Sequence, residues 1–254
     1  MSVPHGPSIG RADLAEAHID FLREATLTLE GADAPARIFL ADGERLELDE
    51  SDFSNLLPAP EIEAAGRFVT AELRRRSLVA RAVLRTILGR YMDRPPRAVP
   101  LTRTDLGKPY TPGGPSFNLS HSGSLVLVAV RPTGRLGVDI EVHRPSTDLE
   151  AVARRFFTRV EWEEVARDPS GVSLAFHRTW VRKEALLKGL GTGLYTPLDR
   201  FSVETRVLAE GRNALRWMDI EGETAEGWGV TPLRVAPGAE AALAWEKRSK
   251  ALNE

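Results

Sequence analysis

Apolar and polar positions in this chain recur with two periods, and those periods sort it into helices and strands. From Glu61 to Leu88, apolar residues fall at Ile62, Ala65, Val69, Leu73, Ala80, Leu84 and Ile87. This spacing predicts one long helix, introduced by Pro58 and Pro60 and stopped by Gly89. A shorter stripe of Leu14, Ala17, Phe21 and Leu22 predicts a helix over 13–25. Strands are expected at 37–40, 99–102, 117–119, 125–130 and 137–142, separated by Gly- and Pro-bearing turns such as Asp42-Gly43 and Pro132-Thr133-Gly134. The second half repeats the mixture, with helices near 148–156, 159–167 and 172–190. Strands then follow near 201–204, 214–220, 228–235 and 241–245. The expected class is α+β, in two halves of similar size, 1–131 and 132–254, divided near residues 131–136.

Composition narrows the possibilities. The chain has 254 residues, enough for a sizeable core, and no cysteine. Disulfides, thiolate zinc sites and cysteine nucleophiles are therefore excluded. No apolar run approaches the roughly 18 residues that cross a bilayer, and the first ten residues lack a signal-peptide layout; a cytoplasmic protein is expected. The net charge of −2 hides a local excess: between Arg67 and Lys108 stand eleven cations against Glu72, Asp93 and Asp105. Such a stretch attracts phosphates or an acidic protein surface, and any one of its arginines equally suits a solvated helix face.

Candidate chemistry gathers in the middle of the chain. In Gly137-Val138-Asp139-Ile140-Glu141 the two acids leave a strand on one face. In Trp180-Val181-Arg182-Lys183-Glu184-Ala185-Leu186-Leu187-Lys188, Glu184 and Lys188 lie one helical turn apart. Three carboxylates and an amine suit a hard cation held against a phosphate-bearing ligand. The plainer alternatives are an exposed strand face and an i,i+4 ion pair worth about 0.2–0.5 kcal/mol. Lys183 falls in the apolar stripe of its helix, and the sequence offers no reason for it. Ser120 and His121 are neighbours on a strand, so they face opposite ways and cannot form a nucleophile–base pair; contact with phosphate oxygens fits them better. Lys108, between Gly107 and Pro109, suits presentation of a cation. Gly189-Leu190-Gly191-Thr192-Gly193 follows a helix instead of a strand, so it reads as a helix stop and flexible loop and not a phosphate cradle. His5, His18, His143 and His177 are taken as surface or core residues.

Taken in order, Gly107-Lys108-Pro109, Phe117-Asn118-Leu119-Ser120-His121-Ser122-Gly123, Gly137–Glu141 and Trp180-x-x-Lys183-Glu184-Ala185-x-x-Lys188 resemble the Sfp-type, or surfactin-synthetase-type, 4′-phosphopantetheinyl transferases. The match spans residues 107–188; outside it the likeness rests on the Arg-rich helix and on Pro197–Asp199. The resemblance implies a pseudodimer of two similar α+β halves with the active site at their interface. It implies transfer of the 4′-phosphopantetheine arm of coenzyme A to a serine of an apo acyl or peptidyl carrier protein, with release of adenosine 3′,5′-bisphosphate. By position, Asp139, Glu141 and Glu184 match ligands of Mg²⁺, with Mn²⁺ also suited. Lys108, Ser120, His121 and Lys188 match residues that bind coenzyme A, and Arg75, Arg76 and Arg81 are candidates for its upstream basic contacts. Glu184, Lys188 and His121 are the expected catalytic groups, with Glu184 as proton acceptor and Lys188 keeping it ionised. About thirty residues at the N-terminus exceed the family core. Two halves in one chain would close a site within a monomer.

Two rivals differ in class. A Mg²⁺-dependent phosphodiesterase or nucleotide hydrolase would use the same acids on coenzyme A-like anhydrides with water as nucleophile. A binding module would use the Arg-rich helix alone, which leaves the three acids without a purpose. No nucleic-acid partner is expected, because aromatics do not interleave those arginines and the chain is slightly acidic; nor is a membrane partner. A carrier protein would dock on the Arg67–Arg97 region or on the loop before Phe117.

Overall fold

The computed structural model describes residues 22–144 and 148–248. Two antiparallel sheets form its centre. The first runs β1 (Leu22–Leu27), β2 (Ala36–Asp42), β6 (Leu125–Arg131), β5 (Ser116–Ser122) in spatial order. The second runs β10 (Trp228–Leu233), β11 (Ala239–Glu246), β7 (Leu136–Val142). Two short ribbons pair β3 (Thr102–Arg103) with β4 (Pro109–Tyr110) and β8 (Phe201–Val203) with β9 (Leu215–Met218). The helices are α1 (Glu50–Leu56), α2 (Ala59–Ala65), α3 (Ala71–Met92), α4 (Leu149–Phe156), α5 (Arg159–Ala166) and α6 (Val172–Leu190).

Strand period two builds the layers. Phe39, Val126, Val128 and Val130 turn one face of the first sheet onto Leu78, Val83 and Ile87 of α3. Its other face, with Ile38, Leu127 and Ala129, packs on Val138, Ile140 and Leu243 of the second sheet. The far face of that sheet, with Ala242, Ala244 and Val230, lies beneath Val181, Ala185 and Leu186 of α6. The architecture is therefore helix, sheet, sheet, helix: two helix-on-sheet halves joined back to back, an α+β fold consistent with the expected pseudodimer.

Three local expectations are corrected. The helix foreseen over 61–88 is two helices. α2 stops at Gly66, and Thr70 caps a new start by accepting the Leu73 N–H at 3.2 Å. The apolar positions in the break have no core to face, and Val69 is 96% exposed. Gly89 does not end the helix but lies inside it, because a Cβ there would come 2.6 Å from the Arg94 carbonyl where the chain doubles back. The stop is Asp93, in the left-handed region at φ 49°. Third, residues 22–25 of the helix foreseen over 13–25 belong to β1, whose hydrogen bonds come from β2; the rest of that segment lies outside the described residues. The sequence analysis also passed over α1, although Asp49 and Asp52 form a reciprocal capping box at its start.

The two sheets meet along their edge strands, β5 and β7. Asn118, Ser120 and Ser122 project from β5, and their oxygens accept the N–H groups of Val138, Ile140 and Val142 at 2.8, 3.4 and 3.1 Å. Side chains thus take the place of a backbone ladder, and they satisfy an edge that would otherwise be left open. On its other face β7 is pressed against α6. A Cβ on Gly137 would lie 2.2 Å from both the Ala185 carbonyl and the Gly189 nitrogen. α6 itself is anchored by Lys183, wholly buried, whose ammonium donates to Glu161 at 2.8 Å and to the Phe201 carbonyl at 2.7 Å. The same Glu161 accepts the N–H groups of Thr158 and Val203.

Two stability measurements follow. Gly137→Ala should cost about 3 kcal/mol or prevent folding, at the top of the overpacking range, because the opposing atoms are backbone. Lys183→Met should lose about 3–5 kcal/mol, since it strands a buried carboxylate. Urea denaturation followed by circular dichroism reads both.

Candidate active site

The close approach of α6 to β7 places Glu184 and Lys188 over Asp139 and Glu141, which share the face of β7 turned toward that helix. Asp139 is 3% exposed. Its Oδ1 accepts the Lys188 Nζ at 2.5 Å and the Ser120 hydroxyl at 2.8 Å, and Lys188 also donates to Ser120 Oγ at 2.9 Å. With the Ile140 N–H, Ser120 has its one donor and both acceptor positions in use. Glu141 is held by the Ser122 hydroxyl at 2.7 Å. Lys188 pairs with Asp139, so the i,i+4 pair with Glu184 is not the arrangement the fold selects.

The electrostatics follow from burial and like charge. Burial pushes Asp139 above the usual carboxylate range, against the pull of Lys188 and Ser120. Burial raises Glu141, with Ser122 opposing and Asp139 reinforcing. Burial raises Glu184, reinforced by Asp139 and Glu141 and opposed by Lys188. Lys188 does favour the ionised form of Glu184, as the sequence suggested, but burial and then Asp139 outweigh it, so the net direction is upward. His121 is lowered by burial and by the nearby Lys188 and Arg76.

His121 faces the α3 side of β5, opposite Ser120. There it lines a small cavity of about 90 Å³ with Arg75, Arg76 and Val79. It also lines an adjoining cleft of about 340 Å³ with Arg76, Glu141, Arg144 and His177. Ser120, His121, Asp139, Glu141, Glu184, Lys188 and Arg76 are thereby brought to one region. Arg75 borders it, yet its guanidinium is tied to the carbonyls of Leu46 and Leu48 at 2.8 Å each. Arg81 is turned to Glu61 at 3.6 Å. Lys108 lies at the other end of the seam, where its Nζ donates to the carbonyls of Leu136 and Gly189 at 3.0 and 2.9 Å. It lines a separate cleft of about 530 Å³ with Tyr110, Phe117 and Arg135. Gly191, in the left-handed region, ends α6 as expected, whereas Gly189 is used for close packing against the Trp228 ring of β10, 2.7 Å from where a Cβ would stand.

Sequence reasoning missed Asn118 and Ser122, which hold the seam, and His177 and Arg144, which wall the cleft. The polar residues at 118, 120 and 122, at strand spacing opposite the acids, carried the signal for the first pair. Nothing in the sequence marked the second, because the wall exists only when α6 and β5 meet.

Among the described residues, no three His, Asp or Glu side chains are gathered as a ready metal cage. The donor set nevertheless suits a hard divalent cation. Asp139 Oδ2 is buried with no hydrogen-bond partner, and three carboxyls raised by burial, with Asp139 adding to Glu141 and both adding to Glu184, would be relieved by positive charge.

A carboxylate–lysine centre beside basic clefts, at the joint of two helix-on-sheet halves, defines an enzyme that handles anions. Two family models match: residues 135–233 match the 4′-phosphopantetheinyl transferase superfamily, and 49–133 match the 4′-phosphopantetheinyl transferase N-terminal region. The 4′-phosphopantetheinyl transferase HetI of Nostoc sp. is 38% identical over 161 residues, covering 59% of this chain and 68% of that protein. The 4′-phosphopantetheinyl transferase Sfp of Bacillus subtilis is 32% identical over 154 residues, covering 59% and 67%. The Homo sapiens L-aminoadipate-semialdehyde dehydrogenase-phosphopantetheinyl transferase is 27% identical over 194 residues, covering 65% and 63%. The chain belongs to the 4′-phosphopantetheinyl transferase superfamily and is an enzyme of that class.

The seam also makes a pH prediction. Burial, with Arg135 adding, holds the Lys108 ammonium down at about 8, against an ordinary 10.5. Below about pH 8 it is charged both folded and unfolded, and its burial penalty is constant. Between 8 and 10.5 only the unfolded chain keeps the proton, so this group makes stability rise with pH. Lys108→Met should flatten that rise in urea midpoints measured across the window.

Proposed function

We propose that this enzyme moves the 4′-phosphopantetheine arm of coenzyme A onto a serine of an apo acyl or peptidyl carrier protein. The observation that carries the reading is the Lys188–Ser120–Asp139 contact set, with Glu141 and Glu184 beside it and the Arg76–His121 clefts adjoining. Ser120 Oγ has no free donor or lone pair, so it serves as scaffold and not as nucleophile; the attacking hydroxyl comes from the partner.

The carrier serine Oγ attacks the β-phosphorus of the coenzyme A pyrophosphate, and the bond from that phosphorus to the bridging oxygen breaks. Phosphopantetheine stays on the serine as a phosphodiester, and adenosine 3′,5′-bisphosphate leaves. Glu184, its carboxyl raised by burial and its acidic neighbours, takes the serine proton. Lys188 and His121 stabilise charge on the pyrophosphate oxygens, with Arg76 drawing the anion into the cleft. Lys108, Arg75 and Arg81 remain candidates for contact with coenzyme A only through side-chain movement from their present partners. Asp139, Glu141 and Glu184 would hold Mg²⁺, or Mn²⁺, which supplies neutralisation of pyrophosphate charge when bound. We place the enzyme in the cytoplasm as a monomer; among the described residues no helix is long and apolar enough to cross a membrane.

Intact-protein mass spectrometry of apo carrier proteins incubated with enzyme, coenzyme A and Mg²⁺ tests this. One phosphopantetheine mass should be gained, and it should vanish with EDTA or with Asp139→Ala. Cleavage of coenzyme A with no carrier modified would instead establish a hydrolase. Without coenzyme A, Mg²⁺ should raise the melting temperature of the wild type but not of Asp139→Asn.

A further inference from the structure

The turn that joins β3 to β4 carries Lys108 and is closed on itself. The Thr104 N–H donates to the Lys108 carbonyl at 2.9 Å, and the Lys108 N–H donates to Thr104 Oγ1 at 3.1 Å. Arg103 adds a brace by donating to the Gly107 carbonyl at 2.8 Å. From this turn the lysine Nζ reaches two carbonyls that are far apart in sequence, Leu136 at 3.0 Å and Gly189 at 2.9 Å. Leu136 lies two residues before Val138, so its carbonyl opens on the edge of β7 that Asn118, Ser120 and Ser122 serve. Gly189 is in the last turn of α6, where a carbonyl lacks a partner within the helix and a cation meets the negative end of the dipole. The two carbonyls flank the tightest contact in the fold. A Cβ on Gly137 would stand 2.2 Å from the Gly189 nitrogen and 2.8 Å from the Lys188 carbonyl carbon. Lys188 directly precedes Gly189, and its amine is the group that meets Asp139 and Ser120.

We infer that Lys108 is a positioning residue, which clamps the end of α6 to the start of β7 and so fixes Lys188 over Asp139 for the transfer step. The catalytic part of this rests on the reading of the site given above. The resemblance matched Lys108 to a coenzyme A contact, but its bonds give it another task. Two of its three donors are spent on backbone carbonyls, and the cleft it lines is not the one that holds Arg76 and His121. Without the clamp, the helix end loses the one side chain that ties it to β7 at this point, and Lys188 moves with it. A shift of about 1 Å in a group that acts on the transition state can cost about a hundredfold in rate.

Initial rates at saturating apo carrier and Mg²⁺, with coenzyme A varied, test the clamp in the full chain. Lys108→Met keeps the stem and removes the donors. It should lower kcat about tenfold per folded molecule and leave the coenzyme A KM within about twofold, the pattern of a loss felt in the transition state. Lys108→Arg, which keeps donors, should recover most of that loss. Hydrogen exchange gives a readout free of activity: the Gly191 amide, bonded to the Leu187 carbonyl, should exchange about fivefold faster in Lys108→Met. A coenzyme A KM raised about tenfold with kcat kept overturns the inference, because Lys108 then serves the substrate directly. An unchanged kcat, or an unchanged Gly191 exchange rate, overturns it as well. Should Lys108→Met not fold, Thr104→Val loosens the turn and should lower kcat about threefold, and an unchanged kcat in that variant counts against the clamp equally. If the wild type modifies no carrier, the functional reading fails, while the exchange rates still decide whether Lys108 holds the helix end.

Discussion

The structure depends on a row of side-chain hydrogen bonds between two strands that do not share a ladder. Asn118, Ser120 and Ser122 reach from the edge of one sheet to the backbone of the other and accept its N–H groups. Each short polar side chain at strand spacing satisfies a donor that would be costly to leave buried and unpaired. Two of the three also hold the acids: the Ser120 hydroxyl donates to Asp139 and the Ser122 hydroxyl to Glu141. Joining the halves and orienting the carboxylates are therefore one interaction, and neither can be lost without the other.

A second constraint comes from the opposite face of β7. Gly137 removes the side chain that would hold α6 away, so the helix settles at backbone distance, and Gly189 leaves room for the Trp228 ring of β10. Lys183 and Glu161 lock that helix from its far side in a pair with no solvent contact. The two lysines five residues apart are used differently. Lys183 is an internal strut whose charge is spent on Glu161, while Lys188 is part-exposed and shares Asp139 with Ser120. Burial raises Asp139, Glu141 and Glu184 at the centre of this scaffold, with Asp139 adding to the other two and Lys188 opposing the rise in all three. The clefts beside it are lined by Arg76, Arg144 and two histidines, so an anionic ligand and a cation would each meet an unmet charge there.

Much of this was legible before any coordinates. The strands at 125–130 and 137–142 and the helix at 172–190 stand within a residue or so of their expected limits, because continuous apolar runs and helical stripes report burial directly. The phase of Asp139 with Glu141 and of Glu184 with Lys188 was equally readable, since strand and helix periods are local geometry. Val69 and Leu73 misled for the same reason. Apolar spacing alone cannot say whether a core lies opposite, and here none does.

The sequence by itself determined the class of elements, the order of the motifs and which residues share a face, all set by the local periods of the backbone. Only the tertiary structure decided that Lys183 meets Glu161, that Lys188 prefers Asp139 to Glu184, and that Lys108 closes on two carbonyls away from the Arg76 cleft. It alone showed that His177 walls the site. Those choices join residues tens of positions apart, and they are made by burial and the need to pair every desolvated charge, which no local pattern encodes.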